Sequence, residues 1–151
     1  MGAVSMITIQ TSPIAGQKSG TSGLLRKTRD WMAPQFSENY TQCIINAIQG
    51  ADDKRFIIGG DSRFYNTEAI QFILRILAGS GAAEVFVGQN GLLSTPAASH
   101  LIRLHGANGG FILSASHNPG GIDADFGLKY NMQTGSAAPE QVTAEFYAQT
   151  Q

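Results

Sequence analysis

Short apolar runs closed by glycines or polar turns alternate along this chain with segments whose apolar side chains recur at helical spacing. Phe56-Ile57-Ile58 is stopped by Gly59-Gly60, and Phe111-Ile112-Leu113 runs directly into Ser114. Three uninterrupted apolar residues of this kind predict strands covered on both faces. Glu84 to Val87 and Gly127 to Asn131 predict two more strands, and a further short one is predicted around Met6 to Ile9. Helices are predicted between them. The first runs from about Pro34 to Ile48, with Cys43, Ile44, Ala47 and Ile48 apolar. The second is capped by Asn66 or Thr67 and continues through Ile70, Ile73, Leu74 and Leu77 to Gly79. Ser94-Thr95-Pro96 starts a third that covers Ala97 to His105, and a last helix begins at about Pro139.

This alternation predicts an α/β fold, a three-layer α/β/α sandwich on a mixed, partly parallel sheet. The length of 151 residues is enough for one domain with a real core, so residues 1–151 are read as a single domain with 1–16 as an N-terminal lead-in. In such sheets ligands collect beyond the carboxyl ends of the strands. The glycine-rich turns after residues 58, 87 and 113 lie at those ends.

Composition narrows the function classes. A formal net charge of −1 carries no polyanion footprint, so nucleic acid is not an expected partner. No stretch approaches the ~18 consecutive apolar residues of a membrane span, and no secretory signal is visible. A lone cysteine, Cys43, sits in an apolar helical run and reads as a buried thiol. A soluble, cytoplasmic protein is expected. Glycine is in excess, at 18 residues, and the excess falls at turns where a backbone can approach a ligand closely.

Four segments could carry chemistry. Ser116 follows the Phe111–Leu113 strand and precedes His117-Asn118-Pro119-Gly120-Gly121. That turn either exposes an activated hydroxyl or is simply hydrophilic. Gly20-Thr21-Ser22-Gly23 lies between Lys18 and the pair Arg26-Lys27, an arrangement that suits either an anion-binding loop or a flexible surface turn. Asp61 and Arg63 emerge at a strand end as ligand contacts or as an ion pair that closes the turn. Lys129, in an otherwise apolar stretch, is either a snorkelling strand residue or a charge partner and proton donor near a phosphate. His100, His105 and His117 have no metal-binding spacing, and a turn explains Asp123 and Asp125.

In order, Gly20-Thr21-Ser22-Gly23, Gly59-Gly60-Asp61, Gly91 to Ala97, Ser114 to Gly121, Phe126 to Asn131 and Ala138-Pro139-Glu140 resemble the α-D-phosphohexomutases, most closely the phosphoglucomutase branch. The resemblance runs from about Gln17 to Glu140 and covers only the first of the family's four domains. It implies a phosphoserine at Ser116 and interconversion of glucose 1-phosphate and glucose 6-phosphate through glucose 1,6-bisphosphate. By the same match, Ser116, His117, Lys129 and Arg26 fall on catalytic positions. Thr21, Ser22, Arg26, Asn118 and Lys129 fall on positions that contact substrate or phosphate. Mg²⁺ would be held in part by Ser116 through its phosphate, with its remaining ligands, and the other mutase domains, expected C-terminal to this chain. Hexose phosphates are the implied small-molecule partners, glucose ahead of mannose or glucosamine, and the chain alone is expected to be inactive. A non-catalytic module that binds phosphosugar or protein through the same loops is the alternative. Three features depart from the family pattern: Leu24-Leu25 before Arg26 where one leucine is usual, Ser62 at a common glycine, and Ile122 and Ala124 at common proline and glycine positions. One inserted residue would displace Arg26 unless the loop bulges.

Overall fold

The structure is a computed structural model that describes residues 5–151. In chain order its elements are β1 (Leu24–Lys27), α1 (Thr28–Trp31), α2 (Phe36–Ala47), β2 (Arg55–Gly60), α3 (Asn66–Gly79), β3 (Glu84–Leu92), α4 (Thr95–Leu104), β4 (Gly109–Leu113), β5 (Asp125–Met132) and α5 (Glu140–Gln149). The sheet order is β1-β5-β4-β2-β3. β2 pairs in parallel with both β3 and β4, whereas β5 is antiparallel to β4 and to β1. The mixed sheet expected from the alternation of elements is therefore present.

Side chains of the central strands divide between two helical layers because successive residues point to opposite faces. Phe56, Ile58, Phe111 and Leu113 pack with Phe36, Tyr40 and Ile44 of α2, Ile70, Ile73 and Leu77 of α3 and Phe146 of α5. Ile57 and Ile112 face the other way, against Ala98 and Ile102 of α4. The uninterrupted apolar runs are thus explained by burial on both faces. Ser94 caps α4, its hydroxyl accepting the Ala97 N–H at 3.3 Å, with Pro96 in the first turn.

Three local expectations are corrected, and two elements are added. Residues 6–9 form no strand: Met6 and Ile7 are 73 % and 83 % exposed, and among the described residues no strand pairs with them. Asn66 is the first residue of α3 rather than its cap, because Tyr65 (φ 76°) turns the chain into the helix and the Asn66 amide instead donates to the Gly91 carbonyl. The Gly88–Leu93 segment is not a free loop. It continues β3, folding back at Asn90 and Gly91, both at positive φ, so that Ile58 pairs with Val87 but Gly60 pairs with Leu92. Finally, β1 and α1 were not foreseen, since Leu24-Leu25 is too short a run to announce a strand.

Trp31 joins the outer elements. It is 1 % exposed, meets Phe36, Tyr40 and Phe126 edge-on, and its indole N–H donates to the Phe126 carbonyl at 3.0 Å. Trp31→Ala removes this packing and its hydrogen bond, so it is expected to lower unfolding free energy by about 3–5 kcal/mol. Urea denaturation with an unchanged m-value is the check.

Candidate active site

The parallel pairing of β2 with β4 brings Gly60 opposite Leu113, so both chains leave the sheet at the same edge. The Asp61 N–H donates to the Leu113 carbonyl at 3.1 Å. Gly60 is required here: a Cβ would stand 2.4 Å from the Leu113 carbonyl oxygen. Beyond it, Ser62 (φ 62°) adopts the left-handed conformation that lets Asp61 and Arg63 face each other. The Arg63 guanidinium donates Nε to Asp61 Oδ1 at 2.9 Å and Nη2 to Oδ2 at 2.8 Å. Ser62 standing at a common glycine position is accounted for by this φ, which favours glycine but which serine tolerates at some cost.

After Leu113 the chain enters the serine loop. Ser114 remains tied to β5 through its N–H to the Gly127 carbonyl at 2.9 Å, and its hydroxyl accepts the Ser116 N–H at 3.1 Å. Ser116 also sits at positive φ, 54°. Its side chain and that of His117 are exposed, with 3.5 Å between Ser116 Oγ and His117 Nδ1. The Asn118 N–H closes the turn on the Ala115 carbonyl at 3.1 Å. The Asn118 side-chain amide donates to Asp125 Oδ2 at 2.9 Å, and Lys27 Nζ donates to Asp125 Oδ1 at 2.7 Å. Asn118 therefore holds the loop, and its amide is engaged rather than free. Asp123, on the loop exterior, pairs with Arg29.

The Gly20–Gly23 segment is a tight turn, the Gly20 N–H donating to the Gly23 carbonyl at 2.9 Å, with Thr21 and Ser22 exposed at its tip. Upstream, buried Gln17 anchors it through the Phe36 carbonyl and the Asn39 amide. Gly23 (φ 94°) presses against β5, where a Cβ would meet Lys129 Cβ at 2.6 Å. The turn and Lys129 are thus in contact. A depression of about 330 Å³ beside this turn is lined by Ser19, Thr21, Pro139, Glu140 and Thr143 and does not include Ser116.

Arg26 does not join this group. β1 pairs with β5 without a bulge: Leu24 opposite Leu128, Leu25 opposite Gly127, Arg26 opposite Phe126. With side chains alternating, Leu24 enters the main core and Arg26 lies on that same face, where its Nε donates to Asp30 Oδ2 at 2.9 Å. Leu25, 48 % exposed, occupies the face shared by Ser114 and Lys129. Gly127 lies between Leu25 and Ser114, and a Cβ on it would clash with the Ser114 carbonyl. An unbulged strand cannot absorb an extra residue without changing the face of every later side chain.

Electrostatics tie the two loops together. Burial pushes the Asp61 carboxyl up, but hydrogen bonds and charge from Arg63, with a hydrogen bond from Ser114, outweigh it and hold the group below the usual carboxylate range. The Lys27 hydrogen bond, aided by Asn118 and Arg63, lowers Asp125 in the same way. Burial lowers the Lys129 pKa from its ordinary value, opposed by the attraction of Asp61. Lys129 thus lies within electrostatic reach of Asp61. Among the described residues no three metal-ligating side chains converge.

Of the expected site residues, Ser116, His117 and Asn118 share one loop, Thr21 and Ser22 stand at a turn packed on Lys129, and Arg26 is elsewhere. Ser114 was missed. Its position two residues before Ser116, at a strand end, was the available signal, because a hydroxyl there can accept the N–H two residues on.

Comparison with known proteins follows the same outline. Residues 16–151 match the family model "Phosphoglucomutase/phosphomannomutase, alpha/beta/alpha domain I". The chain is 50 % identical over 145 residues to a phosphoglucomutase of Aspergillus oryzae, covering 95 % of this chain and 26 % of that protein. It is 45 % identical over 150 residues to a chloroplastic phosphoglucomutase of Brassica napus, covering 98 % and 24 %. The crystal structure of the exocytosis-sensitive phosphoprotein pp63/parafusin, a phosphoglucomutase from Paramecium in its open form, superposes with a TM-score of 0.90 at 44 % identity, over 93 % of this chain and 26 % of that one. The chain spans about a quarter of the length of these relatives.

Two outcomes are expected from the site geometry. Ser62→Gly relieves a left-handed serine and should leave thermal stability equal or higher, read as the melting temperature. Because the Asp61 pKa is depressed on folding, its stabilising contribution is complete above its unfolded pKa of about 4 and is lost as pH falls through the lower folded value. Asp61→Asn should therefore flatten the loss of stability below about pH 4, measured by urea titrations at successive pH values.

Proposed function

Since the chain belongs to the phosphoglucomutase/phosphomannomutase family as its α/β/α domain I, we propose that it supplies the phosphoserine unit of a phosphoglucomutase. The reading rests above all on Ser116: an exposed hydroxyl at a left-handed turn beyond a parallel strand, 3.5 Å from a histidine nitrogen. The substrates are glucose 1-phosphate and glucose 6-phosphate, with glucose 1,6-bisphosphate as the intermediate. Glucose is preferred over mannose because the relatives at 45–50 % identity are named phosphoglucomutases.

In the transfer step the bond between phosphorus and Ser116 Oγ breaks as a sugar hydroxyl oxygen bonds to phosphorus. The sugar hydroxyl passes its proton to solvent water, and protonated His117 gives one to Ser116 Oγ and regains it from solvent. Rephosphorylation from the other end of the bisphosphate runs the same steps backwards, with His117 taking the proton. Lys129 faces the transferring oxygens and offsets their charge, which is where most of the barrier reduction in phosphoryl transfer arises. Thr21 and Ser22, on the adjacent turn, contribute hydroxyls and backbone N–H groups to the phosphate. Arg26 is left out of these contacts because Asp30 holds it on the opposite face of β1. Mg²⁺ neutralises phosphoryl charge when bound, and the share assigned to this chain is the phosphate on Ser116. The rest of the cleft lies in the remaining three quarters of the mutase. A reducing compartment such as the cytoplasm suits the free, buried Cys43.

In the full-length mutase that carries this domain, Ser116→Ala is expected to abolish interconversion of the two glucose phosphates in a coupled assay. Turnover at the wild-type level in that variant would end the proposal. Lys129→Ala should reduce kcat by roughly 10²–10³, whereas Arg26→Ala should change it by less than about tenfold.

A further inference from the structure

The Arg63 side chain is 6 % exposed, an unusual position for a guanidinium unless its donors are all engaged. Two of its nitrogens form a fork on the Asp61 carboxylate. Nη1 donates to the Asp125 backbone carbonyl at 2.8 Å, and Nη2 also reaches the Ser116 carbonyl at 3.3 Å. Those carbonyls belong to the two stems of the serine loop, which leaves the sheet after Leu113 and re-enters it at Asp125. The loop also closes over this side chain: a Cβ on Gly120 would lie 3.1 Å from Arg63 Cβ. From these contacts we propose that Arg63 is the positioning residue of the serine loop, fixing the Ser116 peptide in its left-handed conformation and so aiming Oγ at His117.

Strain is what makes such a tie necessary. A serine at φ 54° is held in a conformation costing about 1 kcal/mol or more, and it persists only when surrounding contacts over-determine it. The Ser114 hydroxyl holds the peptide entering Ser116, and Arg63 holds the peptide leaving it. Release of the carbonyl frees rotation at Ser116 and swings Oγ away from the His117 ring. Arg63 touches neither the transferred group nor the sugar in this account, because four of its five N–H donors are engaged by Asp61 and two carbonyls. The requirement is one of shape as well as charge, since a lysine ammonium cannot fork onto a carboxylate and span two loop stems at once.

The inference rests on the proposed role of Ser116, and the test separates the two. Arg63→Lys and Arg63→Gln are made in the full-length mutase and in the 151-residue chain. In the mutase, Arg63→Lys is expected to lower kcat at least about tenfold, as a displaced nucleophile does, with KM for glucose 1-phosphate within about twofold. In the isolated chain, amide hydrogen exchange at Asn118 and Asp125 should quicken at least tenfold while Ile57 and Ile112 stay protected, and the Ser116 and His117 amide resonances should shift. Unchanged kcat in Arg63→Lys, or protection lost evenly over loop and sheet, overturns the assignment by showing an idle or merely structural ion pair. Should Arg63→Gln fail to fold, the lysine variant decides. An active Ser116→Ala mutase defeats the phosphoserine reading instead, and the exchange data then still report whether the loop depends on Arg63.

Discussion

The parallel pairing of β2 with β4 is the constraint from which the rest of the site descends. It puts Gly60 beside Leu113, so that two unrelated stretches of sequence, Asp61–Arg63 and Ser114–Gly121, depart from the same sheet edge within hydrogen-bonding reach. The close approach is possible because Gly60 has no side chain to intrude on the Leu113 carbonyl. Once the two turns are neighbours, Arg63 can be buried between them, and its fork becomes the geometric reference for the serine loop.

The distribution of cations follows from that arrangement. Arg63 is committed to Asp61, Lys27 to Asp125, Arg29 to Asp123 and Arg26 to Asp30. Among the described residues Lys129 alone of the positive groups around the loop has no carboxylate within salt-bridge distance, although Asp61 attracts it from further off. It is half-buried and packed against Gly23. Loop carboxylates are thus paired with arginines and Lys27, while Lys129 lies beside the Thr21–Ser22 turn.

Much of the architecture was legible from local pattern. Runs such as Phe111-Ile112-Leu113 announce strands buried on both faces, and Ser94-Thr95-Pro96 carries its own helix start. Legibility failed where an element depends on a partner distant in sequence. Met6 to Ile9 has a strand-like composition but no strand among the described residues pairs with it, whereas Leu24–Lys27 has an unremarkable composition and becomes a strand because β5 is there to receive it. The Asn90–Gly91 fold-back within β3 likewise answers to Gly60 across the sheet.

The same division holds at the site. The order and chemistry of its segments — a serine followed by histidine at a strand end, a small-residue turn near cations, a lysine in an apolar strand — were set by the sequence alone, because strand ends and turns are local properties. Which charges meet was decided only by tertiary structure. Asp61, Asp125 and Ser116 are brought to one guanidinium by sheet pairing. The side of the sheet on which Leu25 and Arg26 fall depends on whether β1 pairs with or without a bulge, a one-residue matter of register that composition cannot express and that turns a predicted phosphate contact to the opposite face.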